Sequence, residues 1–343
     1  MSSTAEGSVL GATRRDEPRS ARERYVSDFT ALAQRVQELG LLRRRYAYYW
    51  SKLIGLAVAG VALAVAFVVI GDTWWQLVTA VILGLLLVQI SFLGHDAAHR
   101  QIFASGKWND WVSLVVSNLM AGVGVGWWQR KHTKHHAAPN KLDADPDLES
   151  NAVALTPQAA QARKTALGRR LATRQAWFFF PLLLLEGLNL HFQGLKRLFG
   201  RGDVKHRWVE LSFLTIRFTG TLALFFWVLS PDKALAVAGV QLAVYGLYLG
   251  LSFAVNHIGM PIAPRDMKID FLRRQMLMSR NIAGGRWVDT ALGGLNYQIE
   301  HHLFPSMPRP SLRKVAPLVR AYAEQLGVPY TQTSMSRACR DVS

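Results

Sequence analysis

The chain of 343 residues is poor in cysteine, in acidic residues and in nucleotide-binding motifs, and each shortage excludes a class of protein. Cys339 is the single cysteine, which excludes a secreted disulfide scaffold and an iron–sulfur cluster held by this chain. The glycine fingerprint of dinucleotide-binding folds is absent from the sequence. Asp and Glu number 23 against 40 Lys and Arg, and the net charge is +17. The basic residues flank apolar runs and do not interleave with a stacking surface, so nucleic acid is not an expected partner.

Half of the residues are hydrophobic, and they collect in four long runs. About 20 apolar residues cross a bilayer core of roughly 30 Å as a helix. The runs therefore predict an all-α integral membrane protein with four transmembrane helices. The predicted spans are residues 53–70, 74–93, 211–229 and 234–255. Because short turns join the first span to the second and the third to the fourth, the helices are expected to form two hairpins.

The basic residues are distributed unequally along the chain. Residues 1–52, 94–210 and 256–343 hold 10, 16 and 12 of the Lys and Arg, whereas the turns at 71–73 and 230–233 hold one between them. Since positive charge stays on the cytoplasmic side, both termini and the long central segment are expected in the cytoplasm. The outer turns are too short to form a domain, so a helical cap on the cytoplasmic face is predicted to hold the functional site.

Three regions follow from composition. Residues 1–24 are rich in Ser, Arg and Glu and predict a disordered tail. Residues 25–330 form the predicted membrane domain, and residues 331–343 are predicted to be a C-terminal tail.

Apolar residues outside the four spans predict helices that do not cross the bilayer. Phe29, Leu32, Val36 and Leu39 recur at helical spacing and predict an amphipathic helix that lies on the membrane. Two shorter apolar stretches, 111–126 and 177–190, are interrupted by glycine, proline or polar residues. They predict interfacial or half-buried helices.

Seven of the ten histidines form three clusters, and an eighth follows the fourth span directly. The clusters are HDAAH with His95 and His99, HTKHH with His132, His135 and His136, and QIEHH with His301 and His302; the eighth residue is His257. Residues three or four apart share one face of a helix, so each cluster can aim two or three side chains at one point. Eight imidazoles exceed the three ligands of a catalytic zinc or the four of a structural zinc. They match two metals with about four nitrogen ligands each.

The two remaining histidines are interpreted separately. His206 lies between Lys205 and Arg207, and a surface role is the better interpretation. His191 follows Glu186 and Asn189 on a predicted helix, and both a polar structural role and a ligand role remain open.

The order HDAAH, HTKHH, QIEHH between pairs of hydrophobic spans resembles the three histidine boxes of membrane fatty acid desaturases. The resemblance extends from about Leu53 to about Tyr330 and includes the segments HTKHHAAPNKLDADPD and NYQIEHHLFPSMPRPSL. The sequence is similar to bacterial acyl-CoA desaturases in the branch shared with linoleoyl-CoA and front-end desaturases. Gln298 opens the third box, as in that branch, where the stearoyl-CoA type has histidine.

The resemblance implies a cofactor of two iron ions, with O2 as co-substrate, and a reaction that introduces a cis double bond into an acyl chain. Breaking an unactivated C–H bond exceeds the power of any side chain, so a metal cofactor has to carry that step. The resemblance carries over His95, His99, His132, His135, His136, His301 and His302 as ligands, with His257 in the place of an additional family histidine. Further candidates for the metal or for hydrogen bonds to its ligands are Gln298, His191, Asn256, Asp96 and Glu300.

The implied partners are a fatty acyl-CoA or acyl-lipid substrate, the lipid bilayer and a separate electron donor. A His-Pro-Gly-Gly haem signature is absent, so a fused electron carrier is not expected. An NADPH-dependent ferredoxin-like reductase or a ferredoxin would supply electrons. The expected location is the bacterial plasma membrane.

Several alternatives remain open from sequence. A lipid hydroxylase on the same di-iron scaffold shares the first hydrogen abstraction, and a membrane metal transporter is a candidate from a different class. Near the second box, Gly122, Gly124 and Gly126 could allow close packing around an acyl chain, and Trp127 and Trp128 could line its apolar wall. Alternatively, these residues could merely suit a membrane-surface helix. Asn140, Asp145 and Asp147 could brace the second box or cap a helix.

Overall fold

The computed structural model of the chain describes residues 21–149, 153–172 and 174–342. Most of these residues lie in helices, as predicted. The α-helices are α1 Ala21–Glu38, α2 Tyr46–Ile70, α3 Gln76–Ala98, α4 Gly106–Ser113, α5 Val125–Ala137, α6 Pro157–Gln161, α7 Ala166–Ala172, α8 Gln175–Leu183, α9 Glu186–Phe199, α10 Arg207–Val228, α11 Pro231–His257, α12 Phe271–Leu277, α13 Arg286–Ala291, α14 Gln298–Leu303, α15 Arg309–Gln325 and α16 Met335–Val342. A π-helix, Leu114–Ala121, joins α4 to α5, and two short strands are β1 Asn281–Ala283 and β2 Gln332–Ser334.

Among the residues that the structure describes, four helices are long and apolar enough to cross a membrane, namely α2, α3, α10 and α11. Each predicted span overlaps one of these helices; span 74–93 begins two residues before α3, and span 211–229 ends one residue after α10. Two bent pairs correspond to the shorter apolar stretches. The pair 106–121 and 125–137 is bent by 114°, and the pair 177–183 and 186–199 by 59°, so up to six spans are possible if each pair crosses once.

The two short turns between the long helices lie together at one end of the molecule. Asp72 accepts hydrogen bonds from Ser230 N and Ser230 Oγ, at 2.9 and 3.1 Å, and lies 3.1 Å from Lys233 Nζ. The opposite ends of α3 and α11 carry His95 and His257. The helices therefore bring these two histidines to the end away from the short turns, and which side of the membrane this is stays a prediction.

The helix predicted to lie on the membrane surface packs on the protein instead. Leu32 and Val36 of α1 are 1% and 0% exposed and belong to a core shared with α12, α14 and α15. That placement was wrong because the apolar periodicity of α1 suits a bilayer surface and a protein core equally. The four helices share this core, and one of them, α14, carries His301 and His302.

The ends of the chain were predicted to be tails. Residues 1–20 lie outside the described residues, and residues 21–24 already belong to α1. Beyond residue 330, β2 pairs in parallel with β1, in the register Ile282 to Thr333. Ala338 of α16 is buried against Val255 and Ile282. Residues 332–342 are thus packed on the body of the molecule.

Candidate metal centre and adjoining cavity

The structure brings all eight clustered or span-adjacent histidines together. Four helices contribute, because α3, α5, α11 and α14 point their histidine-bearing turns at one place. Ligand nitrogens within 4.8 Å of one another define two sets. The first histidine group is His95, His99, His132 and His301, and the second histidine group is His135, His257 and His302.

His136 lies between the two groups. Its Nε2 is 3.0 Å from His132 Nε2 in the first group. Its ring stacks on that of His302 in the second group, with centroids 4.2 Å apart. His136 is therefore in a position to serve either group.

Hydrogen bonds orient every ring of the second histidine group. His135 Nδ1 lies 3.0 Å from Asp145 Oδ2, His257 Nδ1 lies 3.1 Å from Met278 O, and His302 Nδ1 lies 2.9 Å from Gln275 Oε1. Each acceptor draws the proton to Nδ1, so Nε2 carries the lone pair, which is the usual arrangement of metal-binding histidines. His135 Nε2 and His257 Nε2 then face each other at 3.3 Å. Two lone pairs at that distance repel unless a cation lies between them or a proton is shared.

The first histidine group has a different environment. Both ring nitrogens of His95 and His301, and Nε2 of His99, are buried without a hydrogen-bond partner among the described residues. Buried polar atoms without partners are costly and rare. A shared metal ion would satisfy one nitrogen of each ring, so the donor set fits such an ion. The group is held mainly by packing, including a stacked contact of 4.3 Å between the rings of Trp128 and His132.

Burial also sets the charge state of the imidazoles. Loss of water around His301 and His302, and the neighbouring imidazoles, lower the pKa of both side chains well below the usual value. The two rings are therefore neutral near pH 7. Neutral imidazole is the form that binds metal ions.

A cavity of about 840 Å³ adjoins the histidines. Its wall includes His95, His132, His135 and His257. The remaining wall is largely apolar and comes from the π-helix end, α5, α8, α9 and α11, including Trp127, Trp128, Phe179, Leu183, Leu190 and Phe253. The arrangement places an apolar slot directly against the candidate metal centre.

The glycines near the second box allow close packing, as considered from the sequence, but between helices and not at the cavity wall itself. A Cβ on Gly124 would lie 2.9 Å from Gly194 Cα, so the pair lets α5 and α9 touch through their backbones. A Cβ on Gly126 would meet the Glu210 carboxylate, which accepts a hydrogen bond from Gly126 N at 3.1 Å. Gly122 adopts φ +80 at the end of the π-helix. These residues shape the helix packing, whereas both tryptophans do line the cavity.

The profile of the fatty acid desaturase family matches residues 72–334. This chain belongs to that family. The desaturase is 28% identical over 325 residues to the Delta(8)-fatty-acid desaturase of Helianthus annuus. The alignment covers 90% of this chain and 69% of the relative. It is 29% identical over 289 residues to the acyl-lipid (9-3)-desaturase of Borago officinalis, covering 77% of this chain and 61% of the relative. The chain is 30% identical over 354 aligned positions to the acyl-lipid (9-3)-desaturase of Physcomitrium patens; the alignment covers 95% of this chain and 63% of the relative.

The resemblance inferred from the histidine boxes is thereby confirmed. The desaturase is an oxidoreductase of fatty acyl chains, and its long apolar helices make it a membrane protein.

Residues around the second box brace it, one of the two roles considered from the sequence. Asp145 is fully buried, and its carboxylate accepts from Asn140 N at 2.7 Å as well as from His135. Asn140 Nδ2 donates to His257 O at 3.0 Å. Asp147 Oδ2 lies 3.2 Å from His135 Nδ1, and its other oxygen is 2.6 Å from Lys131 Nζ. The desaturase thus links α5 to the end of α11 through one short polar loop.

Two of the further candidates lie beside the histidine groups. Gln298 Nε2 is 2.9 Å from His257 Nε2, which places its amide at the second group. Asp96 is buried, lies 3.5 Å from His95 Nδ1 and forms a 2.7 Å ion pair with Arg309. The distance to His95 is at the limit of hydrogen bonding, so the ion pair is the stronger contact.

The other three candidates make their hydrogen bonds elsewhere. Glu300 accepts from Asn281 Nδ2 and the Tyr330 hydroxyl, both at 2.7 Å. Asn256 Nδ2 donates to the Ser252 carbonyl within α11. His191 Nδ1 lies 2.7 Å from Gly122 O, and His191 belongs to neither histidine group.

Sequence reasoning singled out Asp145 but missed the other two partners that orient the rings of the second group. Gln275 and Met278 lie in or just after α12, a segment without a histidine motif. Arg309 stands in the segment FPSMPRPSL, whose match to the family could have drawn attention to it. A backbone carbonyl such as that of Met278 has no signal in sequence.

Proposed function

We propose that the chain is a membrane-bound, O2-dependent desaturase that introduces a cis double bond into a fatty acyl chain lying in the cavity. The observation that carries this proposal is the convergence of eight imidazoles, six of them buried, beside a largely apolar slot whose wall includes four of them. Metal-ligating side chains rarely line an apolar cavity unless a bound metal acts on a molecule in that cavity.

The two histidine groups are proposed to hold one iron ion each. The first ion would take His95, His99, His132 and His301; the second would take His135, His257 and His302, with His136 between them. Imidazole nitrogen suits iron, and the carboxylate-rich pattern of soluble di-iron bundles is absent from these sets. Bound iron would supply the oxidising power for C–H cleavage that side chains lack.

The chain's own residues would prepare the substrate and the ligands. Trp127, Trp128 and Phe179 would hold the alkyl chain by apolar contact and keep water away from the reacting carbons. The acceptors at Nδ1 would keep the imidazoles of the second group in the metal-binding tautomer. Gln298 would remain a neighbour of the second ion, directly or through water.

Coenzyme A is the proposed acyl carrier, and a separate reductase or ferredoxin is the proposed electron donor. The excess of Lys and Arg in the segments around the histidines supports a cytoplasmic site and suits an acidic carrier protein. Relatives named acyl-lipid desaturases make a phospholipid-bound chain the alternative substrate.

Expression in a host of known lipid composition tests the reaction. Mass spectrometry should find a new fatty acid that has lost two hydrogen atoms, only when O2 is supplied; a product that has gained an oxygen atom would indicate a hydroxylase instead. His135→Ala should abolish the product. His206→Ala is the matched control, since His206 contacts Trp111 outside both histidine groups and should leave the yield unchanged.

Two further measurements separate the remaining alternatives. Purified protein with a reductase, given labelled acyl-CoA or labelled phospholipid, identifies the carrier by which pool gains the double bond. Zinc flux into vesicles without lipid oxidation would overturn the desaturase proposal in favour of a transporter.

A further inference from the structure

Arg280 is buried at the end of α11, and it holds the backbone on both sides of His257. Its Nε donates to Val255 O at 2.7 Å and its Nη2 to Ile258 O at 2.9 Å. The Arg280 backbone N–H donates to Asn256 O at 3.0 Å. The last carbonyls of a helix lack partners within it, and a cation is favourable there. Arg280 therefore caps the turn that presents His257.

The same short segment also orients the imidazole of His257. Met278, two residues before Arg280, provides the carbonyl that lies 3.1 Å from His257 Nδ1. The segment thus controls both the backbone and the ring of one histidine. Any displacement of Arg280 would move both.

Residues near the C-terminus hold Arg280 from the other side. Asp341 Oδ2 lies 2.6 Å from Arg280 Nη1, and Ala338 O lies 3.4 Å from Nη2. A Cβ on Gly259, which follows α11 at φ +83, would lie 3.3 Å from Asp341 Cβ, so α16 is seated closely on this turn. Pairing of β2 with β1 anchors the segment next to Arg280 in the chain.

We propose that residues 332–342, the C-terminal latch, position His257 for metal binding through the contact of Asp341 with Arg280. The inference rests on the proposed role of His257 as a ligand. Asp341 is a positioning residue, because it acts on the imidazole only through Arg280 and the end of α11.

The latch should affect one metal ion more than the other. It contacts α11 and β1, and these elements carry no histidine of the first group. Removal of residues that orient metal ligands commonly weakens metal binding by about 10- to 100-fold. Asp341 acts on the ligand only indirectly. We therefore expect Asp341→Asn to weaken binding of the ion at the second histidine group by about 10-fold and to leave binding of the other ion unchanged.

The experiment measures iron per chain in the purified full-length protein during dialysis against increasing chelator. His257→Ala should lose one of two ions, and Asp341→Asn should release the same ion at a chelator concentration about 10-fold lower than the wild type requires. Asp341→Glu should restore retention, because it keeps a carboxylate for Arg280. The matched control is Asp72→Asn, which removes an ion pair with Lys233 at the opposite end of α11 and should behave as wild type.

Different outcomes contradict different parts of the argument. Wild-type retention in Asp341→Asn, together with loss of one ion in His257→Ala, would overturn the latch and leave the ligand in place. Full retention in His257→Ala would overturn the ligand itself. Equal loss of both ions in Asp341→Asn would also overturn the latch, since it would reflect loosening of the whole fold; gel filtration and thermal unfolding of the same samples would show that directly.

Discussion

The two histidine groups differ in how the protein holds them. In the second group, each ring has an acceptor at Nδ1, provided by Asp145, Met278 O or Gln275. In the first group, buried nitrogens lack such partners among the described residues, and aromatic packing does more of the positioning. The comparison indicates that hydrogen bonds preset the geometry of the second group, whereas the first group would be completed only by the ion proposed to bind there.

The largest expected effect comes from removing one ligand of each group. His301→Ala in the first group and His302→Ala in the second should each reduce double-bond formation below detection, because the proposed reaction needs both ions. Each variant should retain about one iron ion per chain, measured by elemental analysis. Loss of both ions in either variant would contradict two separable sites.

The support of the first group can be broken at Asp96. Asp96→Asn leaves the buried Arg309 guanidinium without its counter-charge, and removing one partner of a buried pair costs about 3–5 kcal/mol of unfolding free energy. Denaturation in detergent measures this loss. The double variant Asp96→Asn, Arg309→Met should recover much of it, and failure to recover would argue that Asp96 acts on His95 rather than through the ion pair.

The support of the second group can be weakened at Gln275. Gln275→Met removes the acceptor of His302 Nδ1 and should weaken retention of one iron ion by about 10-fold in a chelator titration. Gln275→Glu keeps an oxygen at that position and is the matched control. Equal retention in both variants would show that packing alone holds the ring.

The smallest effect is expected at His191. His191→Phe removes the hydrogen bond with Gly122 O, worth about 1 kcal/mol of stability, and should leave iron content and product yield within about twofold of wild type. Elemental analysis and fatty acid profiling measure both. A drop in iron content would instead make His191 a ligand.

Sequence patterns that repeat within one element were sufficient to predict much of this molecule. Apolar run length predicted the long helices, and helical spacing within HTKHH predicted that its histidines share a face of α5. Order and surroundings of the boxes predicted the family. Contacts between distant segments were not predictable in this way, since Gln275 and Arg280 carry no periodic signal. The burial of α1 was missed because its partner helices could not be identified from its own pattern.

The backbone contact of Gly124 with Gly194 has a consequence for the shape of the slot. It ties the helix of the second box to α9, and both helices contribute side chains to the wall, at a separation that a side chain would forbid. The spacing of these two helices is therefore set by backbone contact and not by side-chain size. Adaptation of the slot to a different occupant would have to come from the side chains that line it, such as Phe179 and Leu183.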